Sequence, residues 1–260
     1  MVAASPNAPA SNRPGISAVF PCYNDAGTIG EVVEKTLAVL APLADEYEVV
    51  VVENGSTDHT RQVLAAAEER FGARLNVLRY AEPLGYGGAV RAGFAAARFP
   101  LVFYTDGDAQ YDVAELPLLY EAMQLEERGG RRVDVVTGRK IARHDAWPRR
   151  LASWAWQRAN RLVFRYSVHD VDCDFRIIKR HVLEALALRE QHGTFPLELM
   201  TTIHDAGFRT VEVAVHHYPR AYGESQFFQW RYLRSTAIDW FRLVWRLRLS
   251  RLVGSGGAAL

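Results

Sequence analysis

Residues 104–112 read YTDGDAQYD and set Asp106, Asp108 and Asp112 directly behind the apolar run FPLVF (99–103). Carboxylates this close repel one another unless something positive stands between them. Asp106 and Asp108 can face one crevice if the extended chain breaks between them. A hard divalent cation, Mg2+ or Mn2+, would then cancel their repulsion, and phosphate oxygens would complete its shell. Two carboxylates one residue apart make a weak signal alone. Its weight depends on what else reaches the same place.

Two further polar clusters stand where apolar runs end. Asn24 and Asp25 follow ISAVF (16–20), and Glu53 and Asn54 close YEVVVVE (47–53). The runs themselves look like strands, the second a buried parallel one because it is almost continuously β-branched. Helical spacing links them: Ile29, Val33, Leu37 and Leu40 repeat between 27 and 40, and Ser56 or Thr57 can cap a helix running to Arg70, with Asp58 in its first turn. LNVLRY (75–80), PLVFYT (100–105) and VDVVTG (133–138) continue the strands, with helices at GGAVRAGFAAARF (87–99) and 112–127. Strands alternating with helices of this length predict an α/β fold, a mostly parallel sheet with helices on both faces. Ligands of such sheets bind beyond the carboxyl ends of the strands. All three polar clusters fall there, so capping of the following helices is the weaker reading for the set, though the better one for Asp58.

The chain of 260 residues is 49% hydrophobic and 23% charged, as an ordinary globular protein is. Lys and Arg number 31 against 30 for Asp and Glu, so bulk charge offers nothing to nucleic acid. Two cysteines, Cys22 and Cys173, imply no disulfide framework and suit a reducing compartment. Residues 1–15 are small, polar and Pro-rich, which predicts a disordered tail without the apolar centre of a signal peptide. No run of about 18 apolar residues occurs, so no spanning helix is expected.

FPCYNDAGTI, VVVENGSTD, GYGGAVRAGF, YTDGDAQYD and DVDCDFRIIKR occur in that order, and the chain resembles the family 2 glycosyltransferases of GT-A fold. Within them it is similar to the dolichyl- and polyprenyl-phosphate sugar synthases, over residues 16–226. The resemblance implies a Rossmann-like GT-A domain at 16–226 that binds a UDP- or GDP-sugar. DGD matches the family's DxD, which assigns Asp106 and Asp108 to the donor diphosphate and its Mg2+ or Mn2+, with Gln110 as a further metal ligand. Pro21, Tyr23, Asn24, Asp25, Gly85 and Gly107 fall on donor-binding stretches. Glu53 stands where the family has the first Asp of DDGS, a contact to the base, and Asn54 replaces the second; Asp25 stands where Glu is common. Gly85, Gly87 and Gly88 allow close backbone approach, either by an anion at a helix N-terminus or by a packed neighbour in a tight turn.

The acceptor implied is a polyprenyl phosphate, and Arg suits its phosphate because the planar fork donates two parallel hydrogen bonds. The resemblance assigns this role to Arg139 in TGRK and to Arg149 with Ser153, with Arg150 as a competing choice. Asp170 matches the leading Asp of the family's DxxC and would orient acceptor or sugar. Asp172 and Asp174 read as supporting or surface residues. The R-x-x-G-x-S element is present as Arg220, Gly223 and Ser225, but Gln226 stands where Lys is usual. A phosphate monoester is largely ionised near neutrality, so a general base is hardly needed, and the implied reaction is a single inverting displacement.

WRYLRSTAIDWFRLVWRLRLSRL (230–252) predicts an amphipathic helix, with Leu233, Ala237, Trp240, Val244 and Leu247 on one face and Arg231, Arg234, Arg242 and Arg246 on the other. That apolar face suits a membrane interface or docking on the protein's own core. Residues 227–260 are accordingly expected to be a separate segment, peripheral at the cytoplasmic face of the membrane rather than spanning it. Other enzymes fit less well. A processive polysaccharide synthase would carry Q-x-x-R-W, and QFFQW (226–230) lacks the Arg. A nucleotidyltransferase would carry Arg and Lys near its first strand, and FPCYNDAGTIG has neither. A family 2 enzyme with a soluble acceptor is the runner-up. Retention of Asp106, Asp108 and Gln110 argues against a non-catalytic sugar-nucleotide-binding module.

Overall fold

The computed structural model describes residues 13–141, 147–220, 222 and 230–249. Its centre is a seven-stranded sheet of β1 (Ile16–Cys22), β2 (Tyr47–Asn54), β3 (Leu75–Tyr80), β4 (Leu101–Tyr104), β5 (Val135–Ile141), β6 (Arg176–Lys179) and β7 (Thr210–His216), in the order β3-β2-β1-β4-β6-β5-β7. Pairing is parallel except that β6 runs antiparallel to both β4 and β5. Tyr104 at the end of β4 therefore lies opposite Arg176 at the start of β6, which lies opposite Thr137 of β5. One sheet edge thus collects the carboxyl ends of six strands and the amino end of the seventh.

Alternation along each strand sorts side chains onto two cores. Ile16, Ala18 and Phe20 join Val49, Val51, Leu101 and Phe103 under α1 (Ile29–Leu40), α2 (Thr60–Phe71) and α4 (Leu116–Arg128). Val19, Val50, Val102 and Tyr104 face the opposite layer. That layer holds α3 (Tyr86–Ala96), α5 (Trp147–Phe164), α6 (Arg180–Ala185), α7 (Phe195–Asp205) and α8 (Trp230–Val244). Val49 to Val52 are all fully buried, as the continuous apolar run predicts.

Two local expectations are corrected. Neither Ser56 nor Thr57 caps α2; Asp58 Oδ1 accepts from Thr60 N at 2.9 Å, a carboxylate serving the positive helix end better than a hydroxyl. Of the predicted apolar face of the last helix, Ala237 is exposed, the side chain of Leu233 lies outside the described residues, and the other three dock on the protein's own core. Trp240, Val244 and Leu247 pack in the second core, and Trp240 Nε1 donates to Asn160 Oδ1 at 2.6 Å. After Val244 the helix widens into a π turn, Trp245–Leu249, which shifts the phase of the side chains. Arg246 consequently points inward to Glu190 and the fully buried Glu198 (2.7 and 2.6 Å). The outward stripe is instead Ile238, Phe241, Trp245 and Leu249.

Candidate active site

The DGD loop is fixed from β1. Gly107 N donates to Pro21 O (3.3 Å), and Thr28 Oγ1 donates to Gly107 O (2.9 Å). A Cβ on Gly107 would stand 3.1 Å from Ile29 Cδ1 and 3.3 Å from Pro21 O, tighter than ordinary contacts, so glycine lets the loop seat there. Ala109 adopts a positive φ of 59°. Asp108 is buried; Oδ1 accepts from Gln110 N (3.0 Å) and Oδ2 pairs with Arg220 Nη2 (2.5 Å). Gln110 reaches the same segment, Nε2 donating to Tyr218 O (3.1 Å) and its carbonyl accepting from Tyr218 N (2.8 Å). Asp112, the third acid of the opening stretch, caps the 3-10 turn Val113–Glu115 by accepting from Ala114 N.

Asp106 differs from its neighbours. Its Oδ1 is shielded from solvent and has no hydrogen-bond partner; the Tyr86 hydroxyl approaches the carboxyl but is likewise without a bond of ordinary geometry. Burial, then the charges of Asp174 and Asp108, hold its pKa well above the carboxylate range. Burial likewise pushes Asp25 up to about 6, with Asp108 adding and the Tyr23 amide and Arg220 opposing. This is a site short of positive charge. Among the described residues no three His, Cys, Asp or Glu side chains converge as a finished cage. A divalent cation therefore fits Asp106 and Asp108 as partial ligands, with diphosphate and water oxygens completing the shell.

On the donor side several predicted contacts hold the protein to itself. Asn24, at φ 57°, receives Thr57 N on Oδ1 at 2.7 Å and stitches the β1 loop to the β2 loop. Glu53 is fully buried; its oxygens accept from Ser56 N and from Arg61 Nε (2.9 Å). Asn54 Oδ1 accepts from Leu84 N at 2.7 Å. Pro21 is buried, whereas Tyr23 is exposed at the crevice. The glycine-rich stretch settles on the packed neighbour. Gly87 N donates to Gln191 O (2.9 Å), and Cβ atoms on Gly85 or Gly87 would collide with the carbonyls of Gln191 or Glu190. The backbone of Glu190 and Gln191 uses the close approach that Gly87 and Gly85 permit. Gly87→Ala should cost about 2 kcal/mol by overpacking, read as a lower urea midpoint at unchanged m.

Beyond β4 the sheet edge carries a second charged group. Arg176 is fully buried; Nε donates to Thr137 Oγ1 (3.1 Å), Nη1 to Asp174 Oδ1 (2.7 Å) and to the Tyr104 hydroxyl, and Nη2 to Val171 O (2.6 Å). Asp174 is thus an internal counter-ion, not a surface residue. Asp170 is buried beside it in the chain, accepting from Lys140 N (3.3 Å) and Gln157 Nε2 (3.4 Å). Lys140 Nζ donates to Asp172 O (2.7 Å) and stands 4.0 Å from Asp170 Oδ1. Arg139, its neighbour on β5, is exposed. The side chains of Arg149 and Ser153, on α5, and all of Ser225 lie outside the described residues.

Burial pushes Asp172 up to about 6, with Asp170 and Asp174 adding and Lys140 and Arg176 opposing. A raised folded pKa favours the folded state below the unfolded value near 4 and loses that contribution as pH rises through 6. Asp172→Asn should therefore stabilise the protein by on the order of 1 kcal/mol above pH 7, after screening at this partly exposed position. The gain should vanish near pH 4, and urea unfolding at the two pH values measures it.

Lys140, Tyr86, Thr28 and the Arg176–Asp174 pair were not singled out by the sequence. Lys140 was legible in principle, since it follows Arg139 on a strand ending at the ligand edge. Arg176 was not, because it becomes internal only through the antiparallel insertion of β6.

A mostly parallel sheet with an antiparallel insertion and an acidic loop after β4 define a GT-A glycosyltransferase. Residues 17–187 match the family model for Glycosyl transferase family 2, and the chain belongs to that family. It is 33% identical over 254 residues to the undecaprenyl-phosphate 4-deoxy-4-formamido-L-arabinose transferase of Pseudomonas aeruginosa, covering 94% of this chain and 69% of that one. An uncharacterized glycosyltransferase of Mycobacterium bovis is 34% identical over 215 residues, 81% of this chain and 88% of the relative. Among solved structures, the glucosyl-3-phosphoglycerate synthase of Mycobacterium tuberculosis with phosphoglyceric acid superposes with a TM-score of 0.63 at 20% identity. The match covers 81% of this chain and 73% of that one. The same enzyme with Mn2+, UDP and glucosyl-3-phosphoglycerate gives 0.60 at 19% identity over the same shares. At such identity the likeness concerns the fold.

Proposed function

We propose that this glycosyltransferase moves a hexose or related sugar from a nucleoside diphosphate to a polyprenyl phosphate, with inversion and with Mg2+ or Mn2+. The observation that carries the reading is the unpaired, buried oxygen of Asp106 beside Asp108 at the end of β4. The relative in Pseudomonas aeruginosa, named for an undecaprenyl-phosphate acceptor and alike over nearly the whole chain, supports the acceptor class. When bound, the cation would neutralise the leaving diphosphate. Asp106 and Asp108 would hold it, with Gln110 beside them.

The chain's remaining work is placement. A phosphate oxygen of the acceptor attacks the anomeric carbon as the bond from that carbon to the diphosphate oxygen breaks, so one displacement suffices. The acceptor is already an anion near neutrality, and no protein base is required. Exposed Arg139 is suited to receive the phosphate, with Arg149 and Ser153 proposed beside it. Asp170, held by Lys140 N and Gln157, would orient the acceptor or the sugar. Arg220 and Ser225 would serve the donor diphosphate and Asp25 its sugar-nucleotide side, while Asn24 would fix the loop beside it and Glu53 would hold the partly exposed Arg61 for the base.

A lipid acceptor also requires a membrane-facing surface. No helix among the described residues is long and apolar enough to cross a membrane. The stripe Ile238, Phe241, Trp245 and Leu249 stands outward on the last helix, Phe241 at 68% and Trp245 at 60% exposure, with exposed Arg242 between them. Trp154 and Leu162 of α5 are exposed as well. Apolar side chains, tryptophans and arginines together suit an anionic bilayer interface. Phe241→Ser with Trp245→Ser should reduce flotation with anionic phospholipid vesicles by about 10-fold or more, given ~0.8 kcal/mol per buried CH2. Unchanged flotation would remove this surface from the reading. For the reaction itself, release of nucleoside diphosphate should depend on added polyprenyl phosphate. Equal release without lipid, or with a soluble sugar acceptor only, would move the enzyme to the runner-up acceptor class.

A further inference from the structure

Tyr218, Arg220 and Tyr222 lie against the loops after β1 and β4, and the first two are tied to two of the three side chains assigned to the cation. Tyr218 exchanges backbone bonds with Gln110, through its carbonyl and its side-chain amide. Arg220 takes Asp108 Oδ2 at 2.5 Å, in a pair where Asp108 is buried and Arg220 is mostly covered. Tyr222 lies against Gly27 so closely that a Cβ there would overlap its ring. Both oxygens of Asp108 are engaged: Oδ1 accepts from Gln110 N and Oδ2 from Arg220. Asp106 Oδ1, two residues away, accepts no hydrogen bond of ordinary geometry.

A guanidinium and a divalent cation on one carboxylate oxygen repel each other at contact distance. A cation that approaches Asp108 on Oδ2 meets the Arg220 guanidinium already seated there. We propose that Arg220 and the cation compete for Asp108, so that Arg220 is a positioning residue. Its side chain is held on Asp108 before loading, beside Tyr218 on Gln110, and it is released toward the donor diphosphate as the cation arrives. This rests on the metal-dependent reading given above.

Two consequences distinguish a competitor from a simple structural ion pair. Arg220 should weaken cation binding when no nucleotide is present, because the cation must first break the pair. A nucleoside diphosphate should strengthen cation binding more in the wild type than in a variant lacking the guanidinium, because the released Arg220 gains a new anionic partner. By linkage, the cation should strengthen nucleotide binding by the same factor.

The test is Mn2+ binding to the full chain, followed by the electron paramagnetic resonance signal of free Mn2+, without nucleotide and then with UDP or GDP. Wild type, Arg220→Gln and Arg220→Lys are compared, with near-ultraviolet circular dichroism as the check of folding. Arg220→Gln should bind Mn2+ roughly 10-fold more tightly than wild type without nucleotide, within the usual range of site coupling. It should gain less from the nucleotide, and Arg220→Lys should stay near wild type. Equal or weaker Mn2+ binding by Arg220→Gln without nucleotide would overturn the competition while leaving metal dependence intact. Mn2+ binding only with nucleotide, and equally to all three proteins, would overturn the competition as well. Absence of Mn2+ binding in every protein, with either nucleotide, would overturn the metal reading and this proposal together.

Discussion

Asp108→Asn should lower sugar transfer by at least about 100-fold, the scale of a lost metal contact worth several kcal/mol in the transition state. The substitution keeps the shape of the side chain, and Gln110 N retains an oxygen to donate to. What is lost is the charge that would meet a cation together with Asp106. Steady-state kinetics with saturating donor should show the loss in kcat, with circular dichroism unchanged. Excess Mn2+ should restore little of it. Transfer at the wild-type rate, still sensitive to chelation, would show that the cation is held elsewhere.

Arg176→Leu should be the most destabilising single change among the described residues of the site. The guanidinium is fully buried and makes four hydrogen bonds, to Thr137, Tyr104, Asp174 and Val171. Removing it leaves Asp174 charged and without its counter-ion, beside Asp106, whose ionisation that charge already opposes. Breaking a buried pair from one side costs about 3–5 kcal/mol. At ~2–4 °C per kcal/mol for a chain of this size, the melting temperature should fall by about 10 °C. Arg176→Leu combined with Asp174→Asn should recover part of the loss, because the orphaned charge is gone. A fall of only about 1–2 °C for the single variant would mean that water enters and solvates Asp174.

The parallel half of the fold was legible because its strands are buried on both faces. Val49 to Val52 leave no reading except a central strand, and helical spacing from Ile29 to Leu40 leaves none except a helix packed on one side. The antiparallel half was harder. RIIK has four residues and opens on an Arg, which sequence reading assigns to a surface; it becomes internal because Asp174, Tyr104 and Thr137 converge on it. On the last helix Trp240, Val244 and Leu247 face the core as a 3.6-residue repeat has them, while Arg246 departs from its expected face within the π turn that begins at Trp245.

The acidic crevice was legible from residue type, but the work of single residues was not. Asn24, Glu53 and Asn54 stand at strand ends, yet their oxygens are spent on Thr57, Ser56 with Arg61, and Leu84. Gly85 and Gly87 announce a close approach without naming the partner, and the partner is the backbone of 190–191. Between the two aspartates of DGD, Asp106 keeps a buried oxygen without a hydrogen bond of ordinary geometry, and nothing in the motif distinguishes it from Asp108. The distinction comes from Arg220, more than a hundred residues away.

The central claim is tested most directly by the mass of the lipid product. Purified protein with Mn2+ or Mg2+ would be given undecaprenyl phosphate and, in turn, UDP- and GDP-linked hexoses and a UDP-linked aminopentose, and the lipid fraction would be weighed by mass spectrometry. One sugar residue added to the lipid phosphate, lost on chelation and in Asp108→Asn, is the expected result. A lipid of unchanged mass while the donor is consumed and a soluble glycoside accumulates would contradict it.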